Sequence, residues 1–130
     1  MTDQELIDAA LQVRKNAYCK YSGFCVGAAL IDEQKQLHVG CNVENASYPQ
    51  GSCAETGAIA AMIAAGGKII KSIAVTGGYK EADSCTPCGG CRQRINEFSD
   101  SETRIIVIDD GGEWHTYSMA ELLPASFHLD

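Results

Sequence analysis

A chain of 130 residues fits one domain, residues 1–130, and a hydrophobic content of 45% supplies a small but genuine core. A formal net charge of −7 with no cluster of Lys and Arg speaks against gripping a nucleic-acid backbone and leaves a small neutral ligand open. No apolar run has the length of a membrane span, and the acidic start Met1-Thr2-Asp3-Gln4-Glu5 lacks the basic and apolar blocks of a secretory leader. The expectation is a cytoplasmic protein with no membrane partner.

In chain order, Thr2 and Glu5 form a capping box, so a first helix starts there and runs to about residue 17, with Leu6, Ala9, Ala10, Val13 and Ala17 as its apolar stripe. Residues 24–31 read as a buried strand, residues 32–35 as a turn and residues 37–41 as the returning strand. Residues 42–52 are polar and irregular. A second helix covers residues 53–65 and is ended by Gly66-Gly67. A strand lies within residues 69–76, a loop within 77–87, and a third helix starts near Pro87, a favoured first-turn residue, and ends near Phe98.

Residues 104–108 form a strand rich in β-branched residues, and 113–117 form another after the tight turn Asp109-Asp110-Gly111-Gly112. So short a connection holds no crossover helix, so these last two strands are expected to be antiparallel. Ser118 and Glu121 make a second capping box for a short helix that stops at Pro124. The order αββαβαββα predicts an α/β fold: a mixed sheet of about five strands with helices packed on it.

The seven cysteines, at 19, 25, 41, 53, 85, 88 and 91, are odd in number, which does not suggest a disulfide framework. Cys53-Ala54-Glu55 and Pro87-Cys88-Gly89-Gly90-Cys91 carry the sharpest chemical signal. Three thiolates with one open position are the donor set of a catalytic zinc, since a structural site closes the fourth position with protein. Cys53 and Cys88 both stand at helix starts, where free amides and the positive dipole end favour thiolates. An open position would carry water with a lowered pKa, and Glu55 is the natural proton carrier beside it. Cys85 also makes a C-x-x-C with Cys88 and is a competing ligand. Cys53 is preferred because it opens a helix and precedes Glu55 at the right offset. Cys19, Cys25 and Cys41 are expected to be small buried residues, and His38, His115 and His128 to be at or near the surface without a ligand role.

Zinc deaminases carry H-x-E with P-C-x-x-C, or a three-cysteine variant, and here C-x-E replaces H-x-E. Over nearly its whole length the chain resembles the small homotetrameric cytidine deaminases. The matching blocks are YSGFCVGAA at 21–29, GCNVENASY at 40–48, CAE at 53–55, PCGGCRQ at 87–93 and ELLPASF at 121–127. The resemblance implies a three-layer α-β-α fold and one zinc per subunit on Cys53, Cys88 and Cys91. Glu55 would take a proton from the zinc-bound water and deliver it to N3 of the base, and the resulting hydroxide would attack C4. Asn42 and Glu44 would hold the ribose hydroxyls, Phe24 would pack on the nucleoside, and the Ala54 amide would meet the base carbonyl. Phe127 of a neighbouring subunit would cover the base, which places active sites at the interfaces of a homotetramer.

The implied activity is hydrolytic deamination of cytidine and deoxycytidine in pyrimidine salvage. Many members carry Arg directly after the catalytic Glu; this chain has Thr56, and Arg92 is the nearest candidate in sequence to offset the thiolate charge. Competing readings are a deaminase for another aminated nucleoside such as blasticidin S, a polynucleotide deaminase, and a zinc-stabilised module without catalysis. The intact 42–45 element and the Phe24 block favour cytidine. The short 109–112 turn and the acidic charge weigh against polynucleotides.

Overall fold

A computed structural model of the chain describes residues 1–129; Asp130, the last residue of the expected domain, lies outside the described residues. The elements are α1 (Asp3–Arg14), β1 (Cys25–Asp32), β2 (Leu37–Cys41), α2 (Ala54–Ala64), β3 (Ile70–Gly78), α3 (Gly89–Glu97), β4 (Ser99–Ile108), β5 (Trp114–Ser118) and α4 (Met119–Leu122), with a 3-10 turn at Tyr48–Gln50. The five strands lie in the order β2-β1-β3-β4-β5. β1 is antiparallel to both β2 and β3, β3 runs parallel to β4, and β4 is antiparallel to β5. The parallel pair is joined through α3, and the five-residue 109–113 link makes the β4–β5 hairpin, as its length requires.

Alternation along the strands separates two apolar layers. Leu30, Ile73, Val75, Ile105 and Val107 face α2, α3 and α4, where they meet Ala58, Met62, Ile95, Met119 and Leu122. Ala29, Ala74 and Ile106, offset by one residue, face α1 and meet Leu6, Ile7 and Ala10. Because successive strand side chains point to opposite faces, this pattern alone produces three layers.

Local chemistry sets the boundaries. Both capping boxes form: Glu5 N–H donates to Thr2 Oγ1 at 3.1 Å and Thr2 N–H to Glu5 Oε1 at 2.9 Å, with the same reciprocal pair at Ser118 and Glu121. At the end of α2, Gly66 adopts φ +95° and the Gly67 amide bonds the Met62 carbonyl at 2.9 Å, a left-handed stop that glycine allows without strain. Several boundaries differ from expectation, among them the start of β4, at Ser99 rather than residue 104, and two at helix ends. α1 ends at Arg14 rather than near residue 17, because the amides of Asn16 and Ala17 reach back only three residues and Tyr18 N–H then turns away to the Asn42 carbonyl. Pro87 precedes α3 instead of opening it, since Cys88 at φ −65° and ψ 166° is its extended N-cap.

Two further expectations are corrected. Cys19 and Cys25 are bonded to each other; the turn between them, closed by Gly23 N–H on the Cys19 carbonyl, brings their Cα atoms to 5.4 Å, within disulfide range. Neither is fully buried, and Cys41 is a half-buried free thiol. His38 is not at the surface: 9% exposed, it donates from Nε2 to Asp32 Oδ2 at 2.8 Å. Asp32 also accepts from the Gln34 and Gln36 amides at 2.8 and 2.9 Å, which pins the β1–β2 turn. His115 stays exposed, against the Tyr117 ring.

Candidate active site

The N-termini of α2 and α3 converge at one end of the sheet, beside the start of β1, the end of β2 and the end of β3. Cys53 is the N-cap of α2 and Cys88 the N-cap of α3, both without side-chain caps of their own. Cys91 follows one turn into α3 and is fully buried. The Sγ atoms of Cys53, Cys88 and Cys91 all lie within 4.8 Å of one another. Zinc–sulfur bonds of about 2.3 Å in tetrahedral geometry ask for sulfurs about 3.8 Å apart, so the three soft donors fit a zinc ion after slight contraction. Cys85 does not join this group. Its amide is held by the Ile108 carbonyl at 3.1 Å, and its thiol, in the cavity wall, is pushed up to about 11 by burial and the nearby Glu55 charge.

Close approach places α2. A Cβ on Gly40 of β2 would stand 2.4 Å from the Ala54 carbonyl oxygen and 2.4 Å from the Ala58 amide nitrogen. The first turn of α2 therefore rests directly on the β2 backbone, and this contact sets the height of Cys53 and Glu55 above the sheet. Ala54, at the first position of α2, is buried and has an amide with no partner inside the helix.

Glu55 is 4% exposed. Burial pushes its carboxyl above the ordinary value, against the opposing pull of its own amide, the Cys91 side chain and the Arg94 charge. Burial likewise raises the Cys53 and Cys91 thiols, whereas the Cys91 amide lowers Cys88. These thiols gain most from a cation that takes the place of their protons.

A cavity of about 320 Å³ opens over these groups, lined by Cys53, Glu55, Cys88 and Cys91 together with Phe24, Asn42 and Glu44. Glu44 and Gly51 also line an adjoining cavity with Tyr21 and Tyr48, so the two spaces share part of their lining. The Asn42 side chain is fixed to β1: Oδ1 accepts from Val26 N–H at 2.8 Å and Nδ2 donates to the Phe24 carbonyl at 2.9 Å. One N–H and one lone pair remain for a ligand. Glu44 accepts from the Ser22 hydroxyl at 2.5 Å and from the Ser22 and Tyr21 amides at 3.0 and 2.8 Å, which holds its carboxyl below the usual range and its charge in place. Phe24, Asn42, Glu44, Ala54 and Glu55, the residues expected to act on substrate, line one cavity with the three cysteines. Phe127 lies outside this cavity, 67% exposed, its carbonyl bonded by the Gln93 side chain at 2.9 Å.

Arg92 is a correction. Its guanidinium donates to the Pro87 carbonyl at 2.8 Å, the Leu122 carbonyl at 3.1 Å and Thr86 Oγ1 at 3.2 Å, so it ties the 79–88 loop to α4 and does not face the thiols. The arginine at the sulfurs is Arg94, whose Nη1 donates to Cys91 Sγ at 3.7 Å. Chain adjacency misled: about 100° separates successive helical residues, so Arg92 points away from Cys91 while Arg94, three residues on, shares its face. That spacing was readable in the sequence.

The family model of the cytidine and deoxycytidylate deaminase zinc-binding region matches residues 1–107. A cytidine deaminase of Halalkalibacterium halodurans is 37% identical over 127 residues, covering 98% of this chain and 95% of the relative. One of Sporosarcina psychrophila is 35% identical over 127 residues, with 98% and 92% covered. The crystal structure of cytidine deaminase from Burkholderia pseudomallei superposes with a TM-score of 0.87 at 39% identity, covering 98% of this chain and all of that one. Shared fold, shared length and a converged three-cysteine cluster lead to one assignment: the chain belongs to the zinc-binding cytidine and deoxycytidylate deaminase family.

Proposed function

We propose that the protein hydrolyses the C4 amine of cytidine and deoxycytidine, giving the uracil nucleoside and ammonia. The observation that carries this reading is the buried Glu55 beside three convergent thiols, in a cavity that Asn42 and Glu44 also line. Cys53, Cys88 and Cys91 would hold the zinc, which as a Lewis acid makes a water nucleophilic near neutral pH.

Glu55 accepts the proton of the attacking water and places it on N3 of the pyrimidine, which makes C4 electrophilic. The oxygen bonds to C4. Glu55 next carries the proton of the new hydroxyl to the exocyclic amine; the C4–N bond breaks and ammonia leaves. A carboxyl raised by burial suits both halves of this shuttle, because it neither holds nor releases the proton too firmly. The Ala54 amide donates to the O2 carbonyl of the base, Asn42 and Glu44 bind the ribose hydroxyls, and Phe24 packs on the nucleoside.

The reading extends to a single domain that works as a homotetramer. The Phe127 ring, exposed and outside its own cavity, would cover the base in a neighbouring subunit, and the exposed Tyr48 and Tyr79 would be covered on assembly. Five free cysteines suit the reducing cytoplasm, with the Cys19–Cys25 bond on the other side of that argument. Among the described residues no helix is long and apolar enough to cross a membrane. Pyrimidine salvage is the role such a reaction serves.

The test follows ultraviolet absorbance of cytidine with the purified protein and with Glu55→Gln, zinc being assayed on both. Turnover should fall at least about 100-fold, the scale of a lost proton carrier, while zinc content is unchanged. Equal turnover in the two proteins refutes the role of Glu55. Sedimentation that gives a monomer refutes the tetramer.

A further inference from the structure

Zinc on three thiolates leaves one net negative charge, and an ionised Glu55 beside it adds another. In a largely buried site such charge needs a nearby cation. Helix N-termini supply partial positive charge but no full one. Thr56, next to Glu55, supplies none.

Arg94 stands where that cation is needed. It projects from α3 on the same face as Cys91 and donates to Cys91 Sγ at 3.7 Å. Its charge also acts on Cys53 and on Glu55. The guanidinium lies over Gly90: a Cβ there would come within 3.1 Å of Nη1 and 4.0 Å of Cys88 Sγ. Among the described residues no carboxylate pairs with Arg94 within 4.0 Å, so its charge is not spent elsewhere. The other arginines near this end are committed to carbonyls: Arg92 to Pro87 and Leu122, and Arg14 to Cys25, Gly78 and Lys80. Thr56 and Arg94 line one surface cavity between α2 and α3, so a longer side chain at 56 would enter the space that Arg94 borders.

We propose that Arg94 offsets the negative charge of the zinc–trithiolate centre and orients the Cys91 sulfur, supplying from α3 the cation that α2, with Thr56, lacks. Arg94 touches no substrate; it is a positioning residue. This inference rests on Cys53, Cys88 and Cys91 as the zinc ligands.

The test measures zinc release from the purified holoprotein to an excess of a chromogenic chelator, for the parent, Arg94→Gln, Arg94→Lys and the double variant Arg94→Gln with Thr56→Arg. Arg94→Gln should release zinc about tenfold faster, the scale of losing a partner that bonds a metal ligand. Arg94→Lys and the double variant should recover most of that loss. In the cobalt-substituted proteins, Arg94→Gln should move the thiolate-to-cobalt charge-transfer band to lower energy, because an unbonded sulfur donates its electrons more easily. Arg94→Gln with the parental release rate and an unmoved band overturns the inference. So does a result in which both charge-restoring variants are as labile as Arg94→Gln, which assigns the loss to the helix and not to charge. A parent that holds no zinc overturns the ligand assignment itself, and this inference with it.

Discussion

Replacing Gly40 by alanine tests whether the β2 backbone sets the position of the reactive helix. The added methyl would stand 2.4 Å from two backbone atoms of α2, about 1 Å short of ordinary contact. Neither atom belongs to a flexible side chain, so α2 as a whole must rise by about that amount. Overpacking of this kind costs about 1–3 kcal/mol. The consequence for chemistry is larger in proportion. Cys53 and Glu55 ride on α2, while Cys88 and Cys91 ride on α3, so the shift falls between ligand and ligand and between the proton carrier and the bound base. A misplacement of about 1 Å lowers turnover by about 100-fold. The assay compares urea denaturation midpoint, zinc per chain and initial rate on cytidine for the parent and Gly40→Ala. Gly57→Ala is the matched control: its methyl would find Gly40 Cα at 3.5 Å, an ordinary contact, and it removes a glycine from a helix interior. That variant should be as active as the parent and more stable by up to about 1 kcal/mol. A Gly40→Ala protein with parental midpoint and parental rate refutes the close-approach argument.

The remaining predictions concern the rival ligand and the buried carboxylate. Cys85→Ser should keep the parental zinc content by atomic absorption, whereas Cys53→Ser should lose it; the reverse outcome would make Cys85 the third ligand. Asp32→Asn should destabilise the protein by about 1–3 kcal/mol at pH 7, since the His38 ring and two amides lose a charged acceptor. Burial alone would raise Asp32, but the Gln36 amide, His38 and the Gln34 amide outweigh it and hold the carboxyl below its ordinary value. A folded-state pKa depressed below about 3.9 gives stability that is present above that value and is lost as pH falls through the folded-state pKa. The gap between parent and Asp32→Asn in urea melts should therefore narrow as pH falls below about 3.9, and a gap of constant size on both sides of that pH refutes the assignment.

The elements were legible because their signals are local. Thr2 with Glu5, Ser118 with Glu121, and the Gly66-Gly67 stop are caps whose partners lie within five residues, and the short apolar runs of β1, β3 and β4 are visible in the chain itself. The short 109–112 turn forced an antiparallel end to the sheet. Cys53-Ala54-Glu55 and Pro87-Cys88-Gly89-Gly90-Cys91 announced their chemistry for the same reason: each motif is completed within one helical turn, so spacing alone sets its geometry.

What lay beyond one turn was decided by packing. The strand order and the seat of α2 on Gly40 depend on contacts between distant segments, and no local pattern encodes them. His38 and Asp32 meet because a hairpin folds them together, and burial then makes their hydrogen bond obligatory. Cys19 and Cys25 meet because the turn at Gly23 closes. The choice of Cys53 over Cys85 was settled by where two helix starts converge. Arg92 and Arg94 show the division most sharply. The three-residue spacing of Cys91 and Arg94 is in the chain, but the carbonyls of residues 87 and 122, offered to Arg92 only by the fold, decide which arginine is free to face the sulfurs. Sequence fixes which groups exist and how they repeat along the chain, but a charge acts through space over a few ångströms, and only the tertiary fold sets those distances.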